Sequence, residues 1–169
     1  NGDFETGDFT GWTEGGSSNW SVTAGNIAFV NSDATGTNTI TQTVPVDAGM
    51  DNILTFDIAA YILHSVGITF TVRIDGTLVY SATADEIGLD NGGNMIWGVK
   101  TFNFTPTGST ATIVLETSKT LAGSGDDIHL DNVYVIGQGS DVDGDGLFDC
   151  YDTDSDNDGC YDALEADEN

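Results

Sequence analysis

Between Val66 and Asp75 every second residue is large and apolar: Val66, Ile68, Phe70, Val72 and Ile74 alternate with Gly67, Thr69, Thr71, Arg73 and Asp75. Successive side chains of a β-strand point to opposite faces, so this alternation predicts a strand with one face in a core and one toward solvent or ligand. Asn52–Tyr61 repeats the arrangement, with Leu54, Phe56 and Ile58 on one face and Thr55, Asp57 and Tyr61 on the other. Further strands are expected at Asn19–Ala24, Asn26–Asn31, Thr39–Val46, Thr77–Ala82, Met95–Phe104, Thr110–Thr117 and Ile128–Ile136. No segment carries a convincing helical period. About nine strands separated by Gly, Asn, Asp and Ser predict an all-β chain, folded as a two-sheet jelly-roll β-sandwich over residues 1–137.

The pattern then ends. Residues 138–140 read as a short flexible hinge, and the last stretch, Asp141 to Asn169, holds ten aspartates and two glutamates without a lysine or arginine. Written as a twelve-residue calcium loop, Asp141, Asp143 and Asp145 fall at positions one, three and five. Gly146 takes the sharp turn, Leu147 offers its carbonyl, and Asp149 and Asp152 complete the loop. Asp154, Asp156, Asp158, Gly159, Cys160, Asp162 and Glu165 repeat the series. A hard divalent cation takes six to eight oxygens on a flexible arc, which such spacing supplies. Only Thr153 separates the two loops, so no helix fits between them. In this the run resembles the thrombospondin type 3 repeats of secreted and cell-surface proteins, where calcium stands in for a hydrophobic core. The expectation is a calcium-organised, mostly irregular segment over 141–169 whose folding and metal binding are one event.

Charge narrows the partners. The first 140 residues carry sixteen acids against Arg73, Lys100 and Lys119, and the whole chain is −25. Nucleic acid and anionic membrane surfaces both call for a basic face, so neither is expected. No stretch approaches the ~18 apolar residues of a membrane span. Cys150 and Cys160 are the only cysteines and fit no zinc pattern. In a calcium-seeking segment they predict a disulfide formed in an oxidising compartment, contributing roughly 3 kcal/mol in the chain-entropy model. The chain starts at Asn1 and shows no signal peptide, and reads as a piece of a longer exported protein.

Both ends of the sandwich region carry a family signal. Asn1, Gly2, Asp3, Phe4 and Glu5, followed by Gly11 and Trp12, resemble the opening of β-sandwich carbohydrate-binding modules of families 4, 9 and 22. Asp126 to Val135 is similar to their closing strand, and both ends also occur in other galactose-binding-like sandwiches. The resemblance implies a structural calcium where first and last strands meet, with Glu5 and Asp131 as side-chain ligands and the Asp3 carbonyl nearby. The ligand that these families draw from a middle strand is not identifiable from the sequence. The resemblance also assigns Trp12 to the core.

Sugar recognition needs aromatic faces to stack on rings, with amides and charged groups to bond hydroxyls. Trp20, Tyr61 and Trp97 remain as candidates once the alternating phenylalanines are given to the core, and Arg73 is the charged candidate on an outward strand face. His64 and His129 have no nucleophile pattern beside them, and the strongest acid clusters are accounted for by metal, so no enzyme is expected. The sequence therefore predicts a non-catalytic, calcium-stabilised carbohydrate-binding module of an extracellular bacterial protein, secreted or at the cell surface. Its partner would be a polysaccharide or other glycan. The alternative is a structural or adhesive sandwich of a large surface adhesin that contacts other surface proteins.

Overall fold

A computed structural model describes residues 2–17, 20–31, 35–62, 67–88, 95–120 and 126–137. His64, the hinge, both calcium loops, Cys150 and Cys160 lie outside the described residues.

The described chain runs β1 (Thr13–Gly16), β2 (Trp20–Val22), β3 (Ala28–Asn31), β4 (Gly36–Pro45), β5 (Asn52–Ile62), β6 (Ile68–Ile74), β7 (Thr77–Thr83), α1 (Ala84–Ile87), β8 (Gly98–Phe104), β9 (Thr110–Lys119) and β10 (Asp126–Gly137). Two five-stranded antiparallel sheets form, ordered β1-β4-β9-β6-β7 and β2-β3-β10-β5-β8. The all-β sandwich expected from the alternating pattern is what the chain adopts. In β6 the pattern holds residue by residue, Ile68, Phe70, Val72 and Ile74 being buried and the intervening residues half-buried.

The core fills from both inner faces. Phe56, Leu54 and Ile58 of β5 and Ile128 and Leu130 of β10 meet Phe70 and Val72 of β6 and Ile113 and Leu115 of β9. Phe56 touches Phe70, Tyr80 and Phe102 at ring centroid separations of 6.0, 6.1 and 5.9 Å. Trp12 is in this core, as the resemblance implied, with its ring stacked on Phe4. Asp75 and Gly76 form the two-residue turn joining β6 to β7, both at positive φ (49° and 79°), which suits a hairpin whose flanking strands twist right-handedly.

Two elements were not expected. Thr13–Gly16 is a strand despite its glycines, held by pairing with β4 from Thr41 to Asn38. Ala84–Ile87 is a single helical turn, closed by a capping box between Thr83 and Glu86. The Thr-x-x-Glu spacing was its signal.

Among the described residues each sheet ends in strands paired on one side only. β8 pairs only with β5 among the described residues, and its Lys100 lies opposite the fully buried Phe56, with the ammonium 5.6 Å above the Tyr80 ring. β3 accompanies β10 only as far as Leu130. Beyond it β10 keeps β5 on one side, while on the other the Val133 N–H donates to the Gly2 carbonyl at 2.8 Å.

Candidate functional site

The outer face of the β2-β3-β10-β5-β8 sheet collects the side chains with binding chemistry. Alternation along β5 turns Leu54, Phe56 and Ile58 inward, so Thr55, Asp57, Ala59 and Tyr61 face out. Along β10, Ile128 and Leu130 are inward, which puts Asp127, His129 and Asp131 on the same outer face. The register then sets the rows. Asp127 lies opposite Tyr61, His129 is flanked by Phe29 of β3 and Ala59 of β5, and Asp131 is opposite Asp57.

His129 and Phe29 stack with ring centroids 5.7 Å apart and planes 15° apart. Among the described residues His129 Nδ1 is buried without a hydrogen-bond partner, and burial holds the imidazole below its ordinary pKa of 6.5, so the neutral ring is favoured. Ala59 has no exposed surface although it faces outward, so the larger residues around it close over it. Trp97, immediately before β8, is 39% exposed.

The four glycan candidates do not form one site. Tyr61 shares the outer face with Asp57, as the alternation predicted, and Trp97 lies just ahead of the neighbouring strand β8. Trp20 is a correction: it is 4% exposed and belongs to the core, because β2 is three residues long with Ser21 as its exposed member. Arg73 is a second correction. It sits on the outer side of the opposite sheet, where its guanidinium donates to the Gly76 carbonyl at 3.3 Å. β5 and β6 are consecutive but belong to different sheets, so nearness in sequence did not become nearness on a face.

The acids of the sandwich edge do gather. Burial pushes the Asp131 carboxyl up from the ordinary range, against a hydrogen bond from the Asn132 N–H (2.7 Å), and Asp57, Glu5 and Asp3 add charge repulsion that pushes the same way. Asp57, on β5, stands opposite Asp131 in the ladder, a neighbour that the sequence did not disclose. Hydrogen bonds organise the group: Asn26 Nδ2 donates to Glu5 Oε2 (2.7 Å), Asn132 Nδ2 to Asp57 Oδ2 (2.8 Å) and Tyr134 to Asn132 Oδ1 (3.2 Å). Asn132 reaches Asp57 from a left-handed backbone (φ 51°) at a bulge between Asp131 and Tyr134. All-oxygen donors suit a hard cation such as calcium. As the side chains stand, however, no three of His, Cys, Asp and Glu among the described residues converge to hold a metal ion. Glu5 is turned to Asn26 and Asp57 to Asn132.

No family model matches this chain, and no curated protein is significantly similar to it. Solved structures share its fold. The carbohydrate-binding module TmCBM61, in complex with beta-1,4-galactotriose, superposes with TM-score 0.60 at 16% identity, covering 81% of this chain and 95% of that one. A structure described as CBM4 gives 0.52 at 19% identity, covering 82% and 98%. The K1 cleaved adhesin domain of Lys-gingipain from Porphyromonas gingivalis W83 gives 0.60 at 17% identity, covering 81% and 96%. At such identities the likeness is one of fold.

Proposed function

We propose that this sandwich is a non-catalytic carbohydrate-binding module of a secreted or cell-surface protein, and that its glycan lies along the outer face of the β2-β3-β10-β5-β8 sheet. The observation that carries the reading is the row of half-buried aromatic and polar side chains on that face: Phe29 stacked on His129, with Tyr61, Asp127 and the exposed Trp97 nearby. Flat rings bordered by hydrogen-bonding groups are what a sugar ring needs. The two carbohydrate-binding modules of like fold support it. The adhesin domain of equal TM-score supports a structural or adhesive role that contacts other surface proteins. Exposed Trp97 and half-buried Tyr61 favour the glycan, since a smooth aliphatic face would suit the adhesive role better.

Affinity electrophoresis through neutral polysaccharides, with calcium present, tests the reading. The chain is expected to be retarded by at least one polymer, Trp97→Ala and Tyr61→Ala to lose most of that retardation, and Arg73→Ala to keep it. Retardation by no polymer, or equal retardation of all four proteins, would overturn it.

Calcium belongs to the same proposal at two places. At the sandwich edge Glu5, Asp57 and Asp131, with Asp3, would hold the ion after small side-chain rotations, tying the start of the chain to its last strand. In the tail the two aspartate loops would bind at least two ions and order on binding, with the Cys150–Cys160 disulfide as a further brace. Isothermal titration of the chelated chain should show these sites, and Asp145→Ala should remove one of those in the tail.

A further inference from the structure

Along one flank of the sandwich the two sheets part. β7 and β8 are the last strands of their sheets among the described residues, and midway along them Tyr80 and Phe102 bridge the gap with ring centroids 5.5 Å apart. Toward the β6–β7 turn the gap opens into a cleft of about 370 Å³. Its apolar lining is the deeper part, Ile74 being buried and Val79 and Phe104 half-buried. Its polar lining is exposed at the mouth: Asp75 and Thr77 on one side, Asn103 and Thr107 on the other.

Both walls are braced from behind. On the turn side the Asp75 N–H donates to the Thr112 carbonyl (2.9 Å) and the Thr112 N–H donates to Asp75 Oδ1 (2.8 Å). On the other side the β8–β9 connection is tied to the β4–β5 connection. Gly49 N–H donates to the Pro106 carbonyl (2.7 Å), and Thr105 Oγ1 donates to Asp51 Oδ1 (2.7 Å). Walls held in this way make a pre-formed cleft, and its volume lies in the range of roughly 300–1,000 Å³ usual for small-ligand sites. The lining chemistry selects the ligand. Among the described residues no cation lines the cleft and Asp75 is its one charged group, so an anion is repelled. A wholly apolar molecule would take the hydroxyl, amide and carboxylate groups of the mouth out of water without replacing their hydrogen bonds. A sugar ring answers both parts, its C–H face covering the apolar surface and its hydroxyls meeting the polar groups around it.

We propose that the cleft between β7 and β8 is a second saccharide site, taking one neutral sugar ring with its apolar face toward Val79 and Phe104 and its hydroxyls toward Asp75, Thr77 and Asn103. Trp97 precedes β8 and Asn103 lies near its end, so roughly 20 Å of extended chain separates the cleft from the outer-face candidates. The inference goes beyond the outer-face reading, and either site holds or fails without the other.

The test is an NMR titration of the isotopically labelled full chain with galactose, glucose, mannose and xylose, each to about 100 mM. At least one sugar should shift the amides of Thr77, Val79, Asn103 and Thr107 saturably, with the roughly millimolar Kd that a single ring allows. The double variant Thr77→Ala, Asn103→Ala changes only exposed side chains and should weaken that binding at least about tenfold, as the loss of two hydrogen bonds implies. Trp97→Ala should leave it unchanged. Cyclohexanol, a ring of like size with a single hydroxyl, should not saturate the same amides. The proposal is overturned if no sugar shifts them saturably, if cyclohexanol binds as tightly as the best sugar, or if the double variant binds like the unaltered chain. Saturable shifts confined to Tyr61, Trp97 and His129 would overturn it too, while leaving the outer-face reading intact.

Discussion

Asp131 stands opposite Asp57 in the β5–β10 ladder, two carboxylates on one face joined through Asn132, whose backbone N–H donates to Asp131 and whose Nδ2 donates to Asp57. Like charges directly opposite each other are destabilising. Burial above all, with the charges of Asp57, Glu5 and Asp3 pushing the same way, makes the folded state bind the Asp131 proton more tightly than the unfolded chain does, and its pKa lies above the ordinary 3.8. Linkage gives the sign: stability is highest below the unfolded pKa and is lost as pH rises through the folded one. In chelator, Asp131→Asn should raise the melting temperature at neutral pH, with the gain vanishing as pH falls below that of ordinary aspartate. In excess calcium the order should reverse, because the ion stabilises the folded wild type by mass action. Thermal melts of both proteins in the two buffers decide the matter; a variant less stable than wild type in chelator would show the pairing to be no cost.

His129 gives the opposite pH dependence. Burial lowers its pKa below 6.5, so the unfolded chain takes up a proton before the folded chain does. Stability should fall as pH drops from about 6.5 toward the folded pKa and then level off as far as this group is concerned. His129→Phe keeps a ring against Phe29 and removes the titration, so urea melts of the variant should lose that slope.

The two tryptophans first grouped as sugar contacts should separate cleanly. Trp20→Ala opens a core cavity and should cost about 3–5 kcal/mol. Trp97→Ala should leave stability within about 0.5 kcal/mol, while removing glycan retention. Chemical denaturation of both variants, read beside the electrophoresis, checks the division.

At the β6–β7 turn Gly76 has φ 79° and open space around it. Gly76→Ala should therefore cost only the conformational penalty of a left-handed residue, about 1–2 kcal/mol, and leave the fold unchanged. A much larger loss in urea melts would mean that a contact at the turn also depends on glycine.

Long strands were legible because each shows several cycles of alternation, and β5, β6 and β9 came out close to the expected limits. Trp20 was misread because a three-residue strand offers no cycle to assign its face. Arg73 was misread because alternation says which side of its own sheet a residue faces, not which sheet the strand joins. Glu5 and Asp131 could be named from the two ends of the sandwich region, while Asp57 looked like any outward acid of a strand. Its meeting with Asp131 depends on long-range register, as does the stack of Phe29 on His129, and no local pattern encodes register between distant strands.

Lys100 turns its edge position into a barrier. A strand arriving at β8 would close over the half-buried Lys100, whose ammonium lies above the Tyr80 ring, and would raise the cost of holding that charge away from water. The β8 side, unpaired beyond β5 among the described residues, thereby resists sheet growth. The sandwich can be crowded on a surface, or strung beside copies of itself, without its β8 edges joining into fibres.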